Sequence, residues 1–329
     1  MRYLVDIHHG IGDCICFMPT IDNIAIADEH AVIDIVVLKQ NYGDLFLNNP
    51  NIRNVIALSD APKMFAPGKY DIGIIADFIS AKWMSVILLK YLGCKKVVYV
   101  HRKLKWTKHL VLRCLDVLEL LGIEYTIKKP QLYLDDRKAE ICDKYDFGKE
   151  MKTIAVCMGG NVINNVSVKN RAMKGVNFKQ WPYKRYVKLI RILGEKYKVI
   201  LIGGDKEEKE FANYRDAVNL VNVLNIIGKT SLPESAQILS ACDLVIGNDT
   251  GMMHLAGAAG TATLSIHGPT DPDMCGTFSE RAFFITPKTK CKYCYAERGD
   301  KYFNCTTGLS CLMSISVDDV IKKVDEILV

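Results

Sequence analysis

The stretch "LVIGNDTGMMHLAGAAGTATLSIHGPTDP", residues 244–272, decides the fold. A nearly continuous Val/Ile/Leu run (243–248) gives way to Asp249, Thr250 and Gly251, then to a helix rich in small residues, then to a second apolar run (262–268). Unbroken apolar runs of this length, as opposed to strict alternation, mark parallel strands covered on both faces. A helical spacer between two such runs implies a right-handed βαβ unit. Asp249, Thr250, Gly251 and His254 fall at the carboxyl end of the first strand, where a buried core needs no polar residue. The first turn of a helix starting near residues 250–252 offers unpaired N–H groups and partial positive charge, a natural anion site. Thr250 adds a hydroxyl and Gly251 leaves room for a phosphate. Asp249 suits sugar hydroxyls or a cap, His254 can donate to a phosphate or sugar oxygen, and Met252 and Met253 pack the core.

The same alternation runs outward in both directions. Strands are predicted at 3–8, 33–39, 70–78 and 95–100 in the first half, and at 153–160 and 197–204 in the second. The charged, apolar-poor segment 134–152 reads as a linker, which gives domains at 1–150 and 151–329. Ser231 with Glu234 three residues on makes a capping-box signature, and Pro233 suits the first helical turn. The tail, starting at a cap on Ser316, places Val317, Val320, Ile321, Val324, Ile327 and Leu328 on one helical face, as core packing.

Composition narrows the function classes. The chain has 329 residues, 49% hydrophobic and 24% charged, as expected of a folded domain pair. No apolar run reaches membrane-spanning length, and the opening run is too short for a secretory signal, so a cytoplasmic location is expected. A net charge of +6 does not itself mark a nucleic-acid binder, and no nucleic-acid partner is predicted. The densest basic cluster, residues 95–109, includes Arg102, Lys103, Lys105 and Lys108 around Trp106. It reads either as a solvated face or as a docking surface for a polyanion.

The opening "DIHHGIGDCICFMPT" sets Gly10 and Gly12 after the first strand and Asp13 at a helix start. Glycine permits a turn with positive φ and lets a ligand approach closely. The dinucleotide fingerprint lacks its third Gly, which weakens an oxidoreductase reading. Asp13 is either a helix cap or a carboxylate at the ligand-binding end of the sheet, able to act as a general base.

Residues 247–272, with "TSLPESAQILSACDLVIGND" before them, resemble the donor-binding signature of the glycosyltransferase family 9 heptosyltransferases. "GIGDCICFMPTI" resembles that family's Gly-x-Gly-Asp turn, and "KGVNFKQWPYKRYVKLI" (174–190) is similar to its Lys-x-Trp-Pro helix entry. The resemblance implies a GT-B fold, two Rossmann-like doubly wound α/β domains facing across a cleft. It implies inverting transfer of a sugar, with ADP-heptose the expected donor, to an anionic glycolipid, saccharide or protein acceptor. Asp13 is then the catalytic base, and Gly159, Gly160, Lys179, Asp249, Thr250, Gly251 and His254 bind the donor. Gly10, Gly12, Arg102 and Lys103 line the acceptor side. A helix terminus and one lysine would stabilise the departing pyrophosphate without Mg²⁺, so no cofactor is expected for catalysis. Such an acceptor would also place the protein peripherally at the cytoplasmic face of the inner membrane. The strand usually ending His-Pro-Gly in the family reads "VCMGGN" (156–161) here. A competing expectation is a transferase-like scaffold without catalysis.

Of twelve cysteines, eight are scattered singly in apolar contexts as small hydrophobes. Cys291, Cys294, Cys305 and Cys311 form Cys-x₂-Cys-x₁₀-Cys-x₅-Cys, two chelating pairs suited to tetrahedral zinc or iron in a closed, structural site. The pattern also resembles the metal-bearing motif of autotransporter heptosyltransferases.

Overall fold

Two parallel sheets carry the chain, each in its own compact unit. The computed structural model describes residues 1–64, 67–100, 108–147, 151–160, 177–295, 305 and 307–329. One unit spans 1–103, 108–135 and 231–236; the other spans 104–107, 136–230 and 237–329. The first holds β1 (Arg2–Asp6), β2 (Val32–Val37), β3 (Asn54–Ala57), β4 (Tyr70–Ile75) and β5 (Cys94–Val98), in the order β3-β2-β1-β4-β5. The second holds β6 (Thr153–Cys157), β7 (Lys198–Leu201), β8 (Val223–Asn225), β9 (Leu244–Asn248), β10 (Ala262–Ile266) and β11 (Ala282–Ile285). Their order is β11-β10-β9-β6-β7-β8. Every pairing in both sheets is parallel.

Both orders reverse direction once. The chain steps outward from β1 through β2 to β3, then returns to β4 on the other side; in the second unit it returns from β8 to β9 beside β6. Such switch points leave a crevice at the strands' carboxyl ends, where doubly wound sheets bind ligands. The α/β reading therefore holds for each unit. All eight predicted strands are present; seven end two or more residues short of the predicted carboxyl end, and β9 keeps its predicted end at Asn248. The strands β3, β8 and β11 were not predicted: each is a sheet edge of three or four residues.

Burial tracks the apolar runs. Every residue of β6, β9 and β10 is buried. The segment 134–152 contains a helix, Lys138–Tyr145, which buries Ile141 and is closed by Asp146 at φ 55°. Ser231 Oγ accepts from Glu234 N (3.3 Å) at the start of the helix Leu232–Ser240. The final helix, Val317–Leu328, opens with a capping box: Asp319 N donates to Ser316 Oγ (3.1 Å) and Ser316 N to Asp319 Oδ2 (2.9 Å). Val317, Val320 and Val324 are buried there, with Ile321, Ile327 and Leu328 packed partly against the same core. Among the described residues no helix is long and apolar enough to cross a membrane.

Candidate functional site

At the second switch point, β9 and β6 must end close together. Gly247 makes this possible: a Cβ there would sit 2.6 Å from Cys157 O and 2.9 Å from Met253 Sδ. The next residue, Asn248, is fully buried and uses its whole amide. Its Nδ2 donates to Met158 O (2.7 Å) and Gly159 O (2.9 Å). Its Oδ1 accepts from Trp181 N (3.0 Å) and the Tyr186 hydroxyl (2.8 Å). One side chain thus ties the end of β6 and the 177–181 loop to the end of β9.

That loop carries Lys179, whose Nζ meets Asp249 Oδ2 at 2.7 Å. Asp249 is buried and Lys179 partly so, their side chains 6% and 25% exposed. Burial alone would raise the Asp249 carboxyl's pKa, but Lys179, His267 and His254 outweigh it and hold the group well below the usual carboxylate range. Asp249 is therefore a carboxylate, with the Lys179 ammonium as its ion-pair partner. The Lys179 ammonium also lies 5.2 Å from the centre of the Tyr295 ring. Tyr295 is itself held by its N–H on Pro269 O (2.9 Å).

Thr250 is the N-cap of the helix Gly251–Ala258, in extended conformation and with no capping bond from its side chain. The first-turn N–H groups of this helix open at the carboxyl end of β9, an anion-binding arrangement. His254 is half-buried one turn in, and Met253 is buried in the core. His267 is wholly buried between Ser265 Oγ and Thr270 Oγ1 (3.2 Å each); burial lowers its pKa, although Asp249 pulls the other way. Lys179, Asp249, Thr250, Gly251 and His254 thus gather at one strand end.

The glycines at the end of β6 have a packing explanation. A Cβ on Gly159 would meet Glu207 at 2.5 Å, and one on Gly160 would meet Asn177 Nδ2 at 2.5 Å. Asp271 and Asp273, an Asp-x-Asp pair, serve locally: Asp271 Oδ1 accepts from Asp273 N (3.0 Å) as a helix cap.

At the first switch point, the helix Ile11–Ala27 begins directly after Gly10. The expected positive-φ turn is absent: Gly10 has φ −63° and Gly12 is already helical, because the helix opens without a left-handed residue. Asp13 is the third helical residue, not the cap. Its Oδ2 pairs with His9 Nδ1 at 2.7 Å, and the carboxylate side chain is 30% exposed. Beside it His8 Nδ1 bonds Asp6 Oδ1, and the buried Asp6 Oδ2 has no hydrogen-bond partner. Arg102 and Lys103 lie outside the described residues.

All four clustered cysteines are free thiols, with Cys311 buried and the others half-buried. Thr307 Oγ1 lies 3.3 Å from Cys291 Sγ and 3.7 Å from Cys305 Sγ, and Leu309 N donates to Cys305 Sγ (3.2 Å). Burial, with Cys291, Cys294 and Cys305 nearby, pushes the Cys311 thiol up to about 11. Tyr293 and Leu309 adopt left-handed φ of 59°, bending the backbone at each pair. Among the described residues no group of three or more His, Cys, Asp or Glu is arranged to hold a metal ion.

Asn248, His267, Tyr295, Asp6 and His8 were not singled out from the sequence. Asn248 and Asp6 had a usable signal: each is a polar residue within or ending an otherwise apolar strand.

Comparison with known proteins gives consistent results. The model of glycosyltransferase family 9 (heptosyltransferase) matches residues 92–302. Lipopolysaccharide heptosyltransferase 2 of Escherichia coli K12 is 26% identical over 161 residues, 47% of this chain and 42% of that protein. The chain thus matches about two fifths of the length of that curated relative. Among solved structures, E. coli ADP-heptose lps heptosyltransferase II superposes with a TM-score of 0.75 at 20% identity, covering 100% of this chain and 98% of that one. The iron-containing dodecameric glycosyltransferase TibC of enterotoxigenic E. coli does so with 0.62 at 11% identity, covering 99% and 76%. These likenesses establish the GT-B class of the two units.

Proposed function

The chain belongs to glycosyltransferase family 9, and from that premise we propose that it is an inverting transferase using a nucleotide-diphosphate sugar. ADP-heptose is the proposed donor, since the matched relative is a heptosyltransferase and the superposed structure is that of an ADP-heptose lps heptosyltransferase. The acceptor is a hydroxyl of an anionic glycolipid, saccharide or protein. The observation that carries this reading is the Lys179–Asp249 pair at the opening of the helix Gly251–Ala258.

There the donor's pyrophosphate lies against first-turn N–H groups and the Thr250 hydroxyl. Lys179, positioned by Asp249, faces the phosphates, while His254 donates to a phosphate or sugar oxygen. Asp13, oriented by His9, takes the proton from the acceptor hydroxyl. The acceptor oxygen bonds the anomeric carbon as the carbon–phosphate-oxygen bond breaks, and the electron pair leaves on the nucleoside diphosphate. Helix N–H groups and one ammonium aimed at that developing charge supply the electrostatic stabilisation. Gly159 and Gly160 keep the adjoining backbone close, and Gly10 and Gly12 do so near Asp13.

The four cysteines are proposed to hold a structural zinc or iron ion. The support is the four-thiol donor set and the Cys-x₂-Cys spacing of its first pair. The superposed TibC is an iron-containing protein. Reducing purification and then elemental analysis should find about one metal per chain; less than about 0.2 equivalents would overturn it, because closed sites bind tightly.

The donor is tested by a thermal-shift panel of ADP-, GDP-, UDP- and dTDP-sugars with NAD(H) as control. An ADP-sugar should raise Tm where NAD(H) does not. Asp13→Asn should then cut transfer by about 10²–10⁴ while leaving the ADP-sugar shift in place. Retained activity would remove Asp13 as the base.

A further inference from the structure

After β11 the chain comes back to the loop that leaves β10. Tyr293 N donates to Gly268 O (3.2 Å) and Tyr295 N to Pro269 O (2.9 Å). Gly268 and Pro269 are both buried, and Gly268 has little room to yield, because a Cβ there would sit 2.6 Å from Leu312 Cγ. Bonds to two consecutive carbonyls of a fixed loop therefore set the position of Tyr295. That position puts its ring under the Lys179 ammonium, with Nζ 5.2 Å from the ring centre.

Lys179 is thus held by two unlike groups, the Asp249 carboxylate at 2.7 Å and the Tyr295 ring. An aromatic face within about 6 Å attracts a cation through its quadrupole, yet it carries no net charge. A second carboxylate in that place would hold the lysine and also repel a diphosphate; a ring holds it without that cost. Tyr295 is half-buried, so water screens the contact only in part. A lysine stem is long and flexible, and an ammonium already confined by fixed neighbours gives up less freedom when a phosphate arrives.

We propose that Tyr295 is a positioning residue: it holds the Lys179 ammonium for the donor's diphosphate, acting through that ammonium and not on the sugar or the base. The proposal rests on the donor reading of the Lys179–Asp249 site and deepens it. It requires no metal ion at the neighbouring cysteines.

The test is a double-mutant cycle on the full chain, read by isothermal titration calorimetry with ADP and adenosine as probes. Tyr295→Leu should weaken ADP binding about three- to tenfold, whereas Tyr295→Phe, which keeps the ring, should stay within about twofold of wild type. Tyr295→Met is a second variant without the ring, used where Tyr295→Leu does not fold. Adenosine, which has no phosphate, should bind the wild type and all variants alike. In a Lys179→Met background, adding Tyr295→Leu should change ADP affinity by less than about twofold, because no ammonium is left to position. Unchanged ADP binding by the variants without the ring overturns the proposal. So does an equal loss for ADP and adenosine, which marks general damage, or the same loss in the Lys179→Met background. A Tyr295→Phe variant as weak as Tyr295→Leu overturns it too. If Lys179→Met weakens ADP binding and Tyr295→Leu does not, only the role of the ring falls; a wild type that ignores ADP takes the donor reading down as well.

Discussion

Replacing Asn248 by Ala removes four hydrogen bonds at once from a site without exposed surface. Two donors, Trp181 N–H and the Tyr186 hydroxyl, and two acceptors, Met158 O and Gly159 O, lose their partner. Burial raises the Tyr186 pKa well above the ordinary phenol value, so the hydroxyl keeps its proton and cannot escape by ionising. An unsatisfied buried group costs about 1–3 kcal/mol. Water entering the vacated amide space recovers part of that, and carbonyls tolerate loss better than N–H groups. The net cost is about 3–5 kcal/mol, a large part of a typical total of about 5–15 kcal/mol. With a urea slope of about 2 kcal/mol/M, the midpoint should fall by roughly 1.5–2.5 M. The readout is urea unfolding monitored by tryptophan fluorescence. Trp181 reports directly, because it is buried edge-on against Tyr186 with ring centres 4.9 Å apart. Asn248→Asp supplies a control: its carboxylate still accepts from Trp181 and Tyr186 but presents its other oxygen to two carbonyls. It should be as damaging at neutral pH and partly recover in acid, once protonated and able to donate. A midpoint shift under about 0.5 M for Asn248→Ala, with the slope unchanged, would refute the assignment of Asn248 as the tie between the two strand ends.

Gly247→Ala should cost about 2–3 kcal/mol in the same assay, since its Cβ would meet backbone oxygen, which cannot swing aside; a neutral result would mean that the strands separate freely. Lys179→Met should destabilise more than the double variant Lys179→Met/Asp249→Asn, because the single change leaves a buried carboxylate uncompensated; equal urea midpoints would dismiss the coupling. Asp249 has a folded pKa below its unfolded value, so its stabilisation is whole above about pH 4 and fades as pH falls through the folded value. Asp249→Asn should therefore be less stable than wild type at neutral pH, with the two urea midpoints converging below about pH 4. His267, with its pKa lowered by burial, should weaken the fold as pH drops below about 6.5, because the unfolded chain takes up that proton first; His267→Gln should flatten this part of the stability profile.

What could be read in advance depended on whether a residue's reason for being there was local. The central strands announced themselves because both faces are covered, leaving runs such as 244–246 with no polar interruption. The edge strands β3, β8 and β11 have no such signature: a three-residue strand whose residues are all half-buried looks like any loop. The cluster of Asp249, Thr250, Gly251 and His254 was legible for the same local reason, being polar residues crowded at the end of an apolar run. The partnership of Asp249 with Lys179 was not, since 70 positions separate them. Asn248 is the sharper case, because its four partners lie 62 to 90 positions away and only the return of β9 beside β6 brings them within reach. At the other switch point locality misled: a Gly-x-Gly spacing suggests a left-handed turn, yet the helix begins at Ile11 and needs none. The same sheet hides a buried carboxylate, Asp6, at the end of β1, joined to His8 while Asp13 is joined to His9. A carboxylate is costly to bury, so one set into the last position of a core strand needs a compensating partner close by. Here that partner is His8, two residues on at the ligand-binding end of the sheet. In both units, then, the informative residue is the polar one closing an apolar strand beside the reversal of strand order.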